Sequence, residues 1–320
     1  MRAGRVQSRT ANKSTKDSLH MWFRNLRIYR LPAGWDIDAD ALEKMLEARP
    51  LTHCGSMDMV SRGWVYPHQE GQFVHRVNRQ WLLALGVEQK LLPAGVVRQA
   101  AAERASKIEA EQGRKVGRKE LRDLRERITE EFMPRAFSQR RTSWCWIDPV
   151  NGWLVLDTGS DARADEILEV LQQTVSGIAL RPLQTQVSPT SAMTDWLAGG
   201  DAPAGFSIDD DLELRSAAEA HSAIRYVRHA LEGGEIRKHI ESGKIATRLA
   251  MTWNDRISFV LTDKLLIKRL AFLDILKEEA EQSAETADEQ FDIDFALMAG
   301  ELARLLADLV VALGGELKPT

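Results

Sequence analysis

Hydrophobic and polar positions follow two different periods along the chain, and these periods predict strands and helices. Runs rich in aromatic and β-branched residues, bounded by turn-forming residues, predict β-strands. In the first part of the chain these runs cover 22–31, 63–66, 80–85, 143–148, 153–157 and 177–183. In the last part they cover 206–214, 223–231, 244–253, 256–262 and 265–272.

Two short polar sequences separate neighbouring strands and predict hairpins. Asn151-Gly152 favours the positive φ angles of a type I′ turn between the strands at 143–148 and 153–157. Asn254-Asp255 indicates a second hairpin of the same general kind.

Apolar residues spaced three and four positions apart predict helices over 38–49, 161–175, 235–241 and 291–313. The same spacing runs through 93–133, but the sequence GRKVGRKE at 113–120 interrupts it. Each glycine in a helix interior costs about 1 kcal/mol relative to alanine. The segment therefore predicts two helices joined by a basic bend, which form a projecting arm that ends at Pro134.

The order of these elements predicts an α+β fold of antiparallel sheets with a projecting helical arm. Proline and glycine in the segment 184–205 predict a loop-rich boundary. The predicted parts are a disordered basic leader (1–20), a central α+β domain (21–92 with 143–185), a helical arm (93–142) and a second α+β domain with a C-terminal helix (186–320).

The net charge of −4 gives no indication of a nucleic-acid partner, but charge is unevenly distributed. Residues 1–30 carry eight Lys and Arg against Asp17 alone. Residues 114–141 carry ten Lys and Arg against five acids, whereas 274–301 carry ten acids against Lys277. A partner responds to the local field, so the basic windows are candidate binding surfaces.

Cys54 and Cys145 are the only cysteines, too few for a disulfide framework, which predicts a reducing cytoplasmic environment. Residues 1–20 lack the apolar core of a signal peptide. The apolar tract 302–313 is short and interrupted by Arg304 and Asp308, so it predicts a buried helix. The sequence thus predicts a cytoplasmic protein without a membrane partner.

The sequence VLDTGS at 155–160 is the sharpest candidate for enzymatic chemistry. In a homodimer, Asp157 could supply one half of the carboxylate pair of an aspartic protease. The competing interpretation is that Asp157 ends a hairpin and that Ser160 or Asp161 caps the next helix. The following sequence DARADEILEVL favours the second interpretation, because it is helical rather than strand-like.

Candidate residues for a metal site are poorly spaced, and nucleotide-binding motifs are missing from the sequence. His53, Cys54, His68 and His75 are not spaced as the paired ligands of a zinc site. Cys145, between two tryptophans, predicts a core residue, and Cys54 predicts a small buried one. The chain has neither a dinucleotide-binding glycine motif nor a P-loop. No metal, cofactor or catalytic residue is therefore predicted.

The basic bend of the arm has two interpretations. Its cations are Arg114, Lys115, Arg118 and Lys119. They form either an ordinary solvated helix face, paired with Glu120 and neighbouring acids, or a binding surface.

The sequence PRAFSQRR favours a binding surface more strongly. Arg135, Arg140 and Arg141 have no acid near them between residues 134 and 147. Phe137 offers either a face for a nucleic-acid base or a plug for a pocket on a partner subunit. Further on, IRYVR places Arg225 and Arg228 on a predicted strand, with His229 beside them. Together the clusters predict contacts to phosphates.

Ordered short motifs over nearly the whole chain, from residue 21 to 316, resemble the RdgC family of bacteria. They are MWFRNLRIYRL, CGSMD, GWV, LLP, PRAFS and WIDPVNG, followed by HIESGK, LAMTW, RISFV, IKRL, FDIDFALMAGELA and LGGE.

The resemblance implies a non-enzymatic, nucleoid-associated protein that binds double- and single-stranded DNA without sequence preference. It also implies a ring-shaped homodimer with a positively charged central hole, which restrains RecA-promoted strand exchange. On this resemblance Arg135, Phe137 and His229 would contact the second subunit or gate the ring. Arg225 and Arg228 would lie near a second contact or the channel wall. A regulator that contacts RecA alone, without binding DNA, remains the alternative.

Overall fold

The computed structural model describes residues 21–68, 71–216, 222–228, 233–274, 276 and 286–317. The chain divides into two compact units, one of residues 25–183 and one that combines residues up to 24 with those from 184 onward. Each unit is built on an antiparallel sheet with helices, so the predicted α+β class is confirmed. The basic leader and His229 lie outside the described residues.

The first unit, residues 25–183, combines one antiparallel sheet with helices. Its elements are β1 (Arg27–Arg30), α1 (Ala39–Glu47), β2 (Val60–Val65), β3 (His75–Val77), β4 (Gln80–Leu91), α2 (Ala94–Gln112), α3 (Arg118–Phe132), β5 (Phe137–Asp148), β6 (Trp153–Leu156), α4 (Asp161–Thr174) and β7 (Arg181–Pro182). The sheet has the order β2-β4-β5-β6-β1-β7, and β3 also pairs with β4.

Helices α1 and α4 supply the main core of this unit together with one face of the sheet. Asp38 and Ser160 cap them through their side chains, so of the two caps that the sequence left open for α4, Ser160 rather than Asp161 is used. Leu42 and Ile167 are fully buried in a cluster that includes Leu85 of β4. This packing leaves the outer ends of β4 and β5 beyond the core.

Strands β4 and β5 pair along almost their whole length, from Trp81↔Ile147 to Leu91↔Phe137, and form what is called here the β4–β5 ribbon, with β2 pairing to β4 as far as Gln89. The strand predicted to begin at Ser143 therefore begins six residues earlier. After Phe137 its first residues are polar and mostly exposed, so they show no buried face that alternation could reveal. Between the two strands, α2 and α3 pack on Val97, Ala101 and Ile128, which confirms the pair of arm helices.

The second unit carries a five-stranded sheet in the order β12-β11-β10-β8-β9. Its elements are α5 (Pro189–Gly199), β8 (Phe206–Ser216), β9 (Ala223–Tyr226), α6 (Gly233–Glu241), β10 (Lys244–Trp253), β11 (Ile257–Thr262), β12 (Ile267–Phe272) and α7 (Ala287–Ala312). Helix α7 confirms the predicted closing helix and buries Phe295, Leu302 and Leu309. Its Asp308 accepts a hydrogen bond from the Trp253 indole at 2.9 Å.

The two predicted hairpins both form, but only one has the turn geometry that the sequence predicts. At Asn151-Gly152 only Gly152 has positive φ (71°), and the register Asp148↔Trp153 leaves a four-residue loop. The predicted type I′ turn there is wrong, because Asp148 accepts hydrogen bonds from the Val150 and Asn151 amides and holds a wider turn. At the second hairpin, Asn254 (46°) and Asp255 (53°) both have positive φ.

Three other predictions need correction. The strand predicted over 177–183 is limited to Arg181–Pro182. The loop predicted over 184–205 contains α5, which Ser188 caps and Pro189 begins. Proline and glycine mark the two ends of this helix rather than a loop. The strand predicted over 223–231 ends at Tyr226, and 229–231 lie outside the described residues.

Among the helices that the structure describes, none combines the length and the apolar character that crossing a membrane requires.

Candidate nucleic-acid interface

The bend between α2 and α3 presents the four predicted cations to solvent. Arg114 forms a two-pronged ion pair with Glu120, at 2.8 and 2.9 Å. Lys115, Arg118 and Lys119 are exposed, and no ion pair joins them to a carboxylate within the described part of the chain. One of the four cations is therefore neutralised by a neighbouring acid, as the first interpretation of the bend expects, and three remain open to solvent; the binding-surface interpretation stays a prediction.

Arg118 and Lys119 also occupy the first turn of α3, where Gly117 provides no side-chain cap. The N-terminus of a helix carries a partial positive charge, so cations there are electrostatically unfavourable. An anion at the bend would relieve this repulsion.

Arg140 lies on β5 directly opposite Glu88 of β4. Its Nε donates to Glu88 at 2.6 Å, and its terminal nitrogen lies 3.0 Å from His53 Nδ1. The hydrogen bond from Arg140 holds the pKa of Glu88 below its ordinary value, with the Cys54 amide as a second donor. The side chain of Glu88 is 4% exposed and that of Arg140 is 53% exposed. The carboxylate thus lies beneath the guanidinium.

Arg141 points to the opposite face of the ribbon, where it binds Glu166 of α4. Arg62 of β2 donates to the same carboxylate at 2.7 Å. Arg62 and Arg141 flank Val87 on the two sides of β4, so one acid serves two cations. Burial acts to raise the pKa of Glu166, but the hydrogen bonds from Arg141 and Arg62 lower it below its ordinary value. The expectation that Arg140 and Arg141 lack acidic neighbours is therefore wrong in three dimensions.

Arg135 and Phe137 lie where the helical arm meets the ribbon. Arg135 ends a short 3₁₀ turn, Met133–Arg135, and its side chain is exposed. Phe137 is 85% exposed and pairs across the ribbon with Leu91, which is 48% exposed. An exposed aromatic ring beside an exposed leucine is an apolar contact surface without a cover in one chain.

The second unit contains a larger cluster around Glu213 of β8. Arg225 donates to its carboxylate at 2.6 Å and Arg215 at 2.8 Å. Arg248 of β10 lies 3.9 Å from the same group. Thr247 adds a hydroxyl hydrogen bond at 3.1 Å. The structure thus surrounds one predicted cation, Arg225, with two that sequence reasoning missed.

Burial acts to raise the pKa of Glu213, but its hydrogen bonds from Arg225, Arg215 and Thr247 and the charge of Arg248 lower it overall. Glu213 therefore remains ionised at neutral pH, with three arginines around a single negative charge.

Arg228 is not part of this cluster. It lies beyond the end of β9 with a φ of 51°, and its backbone amide donates to Asp211 at 2.9 Å. The prediction that Arg225 and Arg228 share a strand is wrong. Positive φ turns the chain away from the strand direction there, so the two side chains do not follow the alternation of a strand.

The three clusters share one architecture that the sequence conceals. In each, a glutamate with a side chain no more than 10% exposed lies beneath partly exposed arginines, one at Glu88, two at Glu166 and three at Glu213. The residues missed by the sequence analysis are Glu88, Glu166, Glu213, Arg62, Arg215 and Arg248. Glu213 and Arg215 stand two positions apart on β8, the one local signal that could have indicated a shared face.

The residues considered for enzymatic or metal chemistry, Asp157 and the two cysteines, all make contacts in the fold. Asp157 accepts a hydrogen bond from the Asn25 amide at 2.9 Å, and Ser160 caps α4 just after it. Cys145 is buried as predicted, and burial raises the pKa of its thiol. Cys54 is only half-buried, contrary to prediction, and its thiol contacts the Glu88 carbonyl. In the described ranges no group of three or more His, Cys, Asp or Glu side chains could hold a metal ion.

The fold and clusters define a class of α+β proteins that present arginines over buried acids on antiparallel sheets. A family model described as "Putative exonuclease, RdgC" matches residues 21–316. The chain belongs to the RdgC family.

Relatives named "Recombination-associated protein RdgC" are similar over almost their full length. The protein of Dechloromonas aromatica (strain RCB) is 57% identical over 299 residues, which span 92% of this chain and 98% of the relative. The protein of Janthinobacterium sp. (strain Marseille) is 50% identical over 298 residues, 93% of this chain and 99% of the relative. That of Herminiimonas arsenicoxydans is 52% identical over 296 residues, 92% and 99%.

Proposed function

We propose that this chain is a recombination-associated, non-enzymatic DNA-binding protein. It acts as a homodimeric ring clamp on double- and single-stranded DNA and restrains RecA-promoted recombination. Membership of the RdgC family and the names of its relatives support the link to recombination. The observation that carries the DNA-binding step is the set of partly exposed guanidinium groups above buried carboxylates.

These clusters suit the phosphate backbone better than base edges. Guanidinium groups on an open sheet face and at a helical bend can neutralise phosphates on any sequence. The candidate phosphate contacts are Arg114, Lys115, Arg118, Lys119, Arg135, Arg140, Arg141, Arg225 and Arg228, to which the geometry adds Arg62, Arg215 and Arg248. Local positive fields of this kind also reconcile DNA binding with a net charge of −4.

The dimer contact is proposed at the end of the β4–β5 ribbon. Phe137, at 85% exposure, is the most exposed of the large apolar side chains in the described ranges. Seating it in a second copy of the chain would bury a ring that water otherwise surrounds. Arg135 would lie at the edge of that contact, where it could serve the second subunit or DNA.

A salt titration of DNA binding tests the proposal. The logarithm of the affinity for duplex DNA should fall linearly with the logarithm of salt, with a slope of about −0.9 for each phosphate neutralised. Three or more contacts would give a slope of about −3 or steeper. An affinity that is independent of salt, or no binding to naked DNA, would favour the regulator that contacts RecA alone.

The non-enzymatic part of the proposal has its own test, because the family model bears the word exonuclease. End-labelled duplex incubated with the protein and Mg²⁺ should keep its full length. Progressive shortening from the ends, abolished by chelation, would contradict it.

A further inference from the structure

We propose that Glu213 is a positioning residue that holds Arg215, Arg225 and Arg248 together as one phosphodiester-binding cluster on the open face of the five-stranded sheet. The inference rests on the proposed function and deepens it, because it assigns the contact to a specific constellation.

The sheet register brings the members together. Arg225 of β9 and Arg248 of β10 are the direct cross-strand partners of Glu213, one on each side of β8. Arg215 stands two residues further along β8, and side chains two positions apart on a strand share a face. All four side chains therefore lie on one face of three adjacent strands.

An irregularity in the pairing completes the arrangement. The register shifts between Ala246 and Arg248, so that Thr247 is the unpaired residue of a β-bulge. Thr247 is buried, and its hydroxyl donates to the Glu213 carboxylate at 3.1 Å. The bulge thus brings one additional donor to the acid and places Arg248 opposite it.

The negative charge of the cluster is buried, whereas its positive charges are exposed to solvent. The side chain of Glu213 is 4% exposed, whereas those of Arg215, Arg225 and Arg248 are 48%, 62% and 47% exposed. A polyanion approaching this cluster therefore meets the guanidinium groups before it meets Glu213. With three cations and one acid, the cluster keeps a surplus of positive charge at its surface.

Hydrogen bonding leaves the outer edges of two guanidinium groups open. Arg215 and Arg225 both reach Glu213 through Nε. Neither has a second acceptor among the described residues, so their terminal NH groups can bind phosphate oxygens. The planar guanidinium presents donors on two edges, so one edge can hold the acid while the other binds a phosphate.

The carboxylate is needed because three guanidinium groups so close together repel one another. Without it, the long arginine side chains would spread into solvent and would have to be reassembled when DNA binds. Ordering side chains before association reduces the entropy lost on binding. Glu213 therefore increases the affinity for DNA although its own charge opposes the phosphates.

The substitution Glu213→Gln separates positioning from simple neutralisation by the sign of its effect. Gln preserves the size of the side chain but removes its negative charge. If Glu213 only neutralises the arginines, the affinity for DNA rises, and the slope of log affinity against log salt becomes steeper by about 0.9, the value for one more phosphate contact. If Glu213 positions them, affinity falls despite the higher positive charge, and the salt dependence becomes shallower.

We expect full-length Glu213→Gln to bind a mixed-sequence duplex and oligo(dT) about tenfold more weakly, the loss of about one charge-assisted contact. The salt slope should become shallower on both. Unchanged or higher affinity overturns the inference. If wild type binds DNA with a steep salt dependence and the variant has the same affinity and slope, the inference fails but the proposed function stands. If wild type does not bind, the proposed function fails.

The matched control is Glu301→Gln in the same unit. Glu301 of α7 is 1% exposed and also binds two arginines, Arg256 at 3.0 Å and Arg304 at 2.6 Å, but it lies on a helix outside the cluster. Its substitution should leave the DNA affinity and the salt slope unchanged while its effect on melting temperature resembles that of Glu213→Gln. An equal loss of DNA binding in both variants would indicate general destabilisation and overturn the inference.

A second set of variants avoids the buried acid, in case Glu213→Gln does not fold. Arg215→Gln and Arg225→Gln change exposed side chains singly and together. In a positioned cluster the double variant should lose little more affinity than either single variant, because each arginine depends on the other. Strictly additive losses in the logarithm of affinity would overturn the inference.

Discussion

Several arginine side chains in this chain are held by acids that are distant in sequence. Arg141 and its partner Glu166 are 25 residues apart, and Arg140 and Glu88 are 52 apart. A guanidinium above a buried carboxylate is held in place but keeps donors toward solvent. At the residue scale, pairing and availability for a partner are therefore compatible.

The Glu166 cluster should make stability depend on acid pH. Because the folded pKa is lowered, the ionised carboxylate stabilises the fold fully above its ordinary value of 4.5. That contribution is lost as pH falls through the folded pKa. We expect Glu166→Gln to lower the free energy of unfolding by about 1–2 kcal/mol at neutral pH, since its arginine partners are partly exposed.

Denaturant unfolding from pH 7 down to pH 3 measures this effect. The difference between wild type and Glu166→Gln should shrink toward zero as the medium becomes acidic. A difference that stays constant over the whole range would mean that packing of Glu166, rather than its charge, stabilises the fold.

At the scale of elements, the β4–β5 ribbon is the most consequential structure. It extends from the buried core at Trp81 and Ile147 to the exposed pair Leu91 and Phe137. Along the way it positions Arg140 on one face and Arg141 on the other. The backbone hydrogen bonds between the two strands fix the positions of these residues relative to each other.

Substitution of Phe137 tests the proposed dimer contact. Phe137→Ala should raise the dimer dissociation constant by about tenfold or more, because burial of a phenylalanine contributes about 1.5–3 kcal/mol. Analytical ultracentrifugation over a concentration series measures the change. Val150→Ala, which removes a 53% exposed side chain from the β5–β6 turn, is the control and should not change assembly.

An unchanged dimer with impaired DNA binding would instead assign Phe137 to stacking on bases. A wild-type chain that sediments as a monomer at all concentrations would contradict the dimer itself.

At the scale of the whole molecule, the negative net charge and the basic clusters perform separate tasks. Net charge governs solubility and long-range repulsion, whereas phosphates respond to groups within about one Debye length, about 8 Å at physiological salt. A sequence-indifferent DNA protein can therefore be acidic overall, as long as its cations face one ligand.

Combined substitution of Arg135, Arg140 and Arg141 by alanine tests sequence indifference. Affinity should fall by a similar factor on two duplexes of unrelated sequence, because phosphate contacts carry no base information. Fluorescence anisotropy on both duplexes measures it, with circular dichroism to verify folding. Arg163→Gln, an exposed residue of α4, is the control. A loss confined to one duplex would indicate base readout.

The sequence alone determined the class of fold and the position of most elements. Caps such as Asp38 and Ser160, and the helical spacing around Ile128, are local signals that act within one turn of a helix. The same holds for the hairpin at Asn254-Asp255, whose two residues both have positive φ. The turn prediction failed at Asn151-Gly152 because another local contact prevailed: the buried Asp148 accepts hydrogen bonds from the Val150 and Asn151 amides and organises a wider turn.

Only the tertiary structure decided how the cations are arranged. The sequence indicated Arg140, Arg141 and Arg225, but Glu88, Glu166 and Glu213 come from other strands or from a helix. Sheet register brings such residues within hydrogen-bonding distance, and that register depends on the buried face of whole strands and on the turns between them rather than on the residues next to each arginine. Composition and motifs thus identified the charges, whereas the pairing of strands determined which of them are held together and which face solvent.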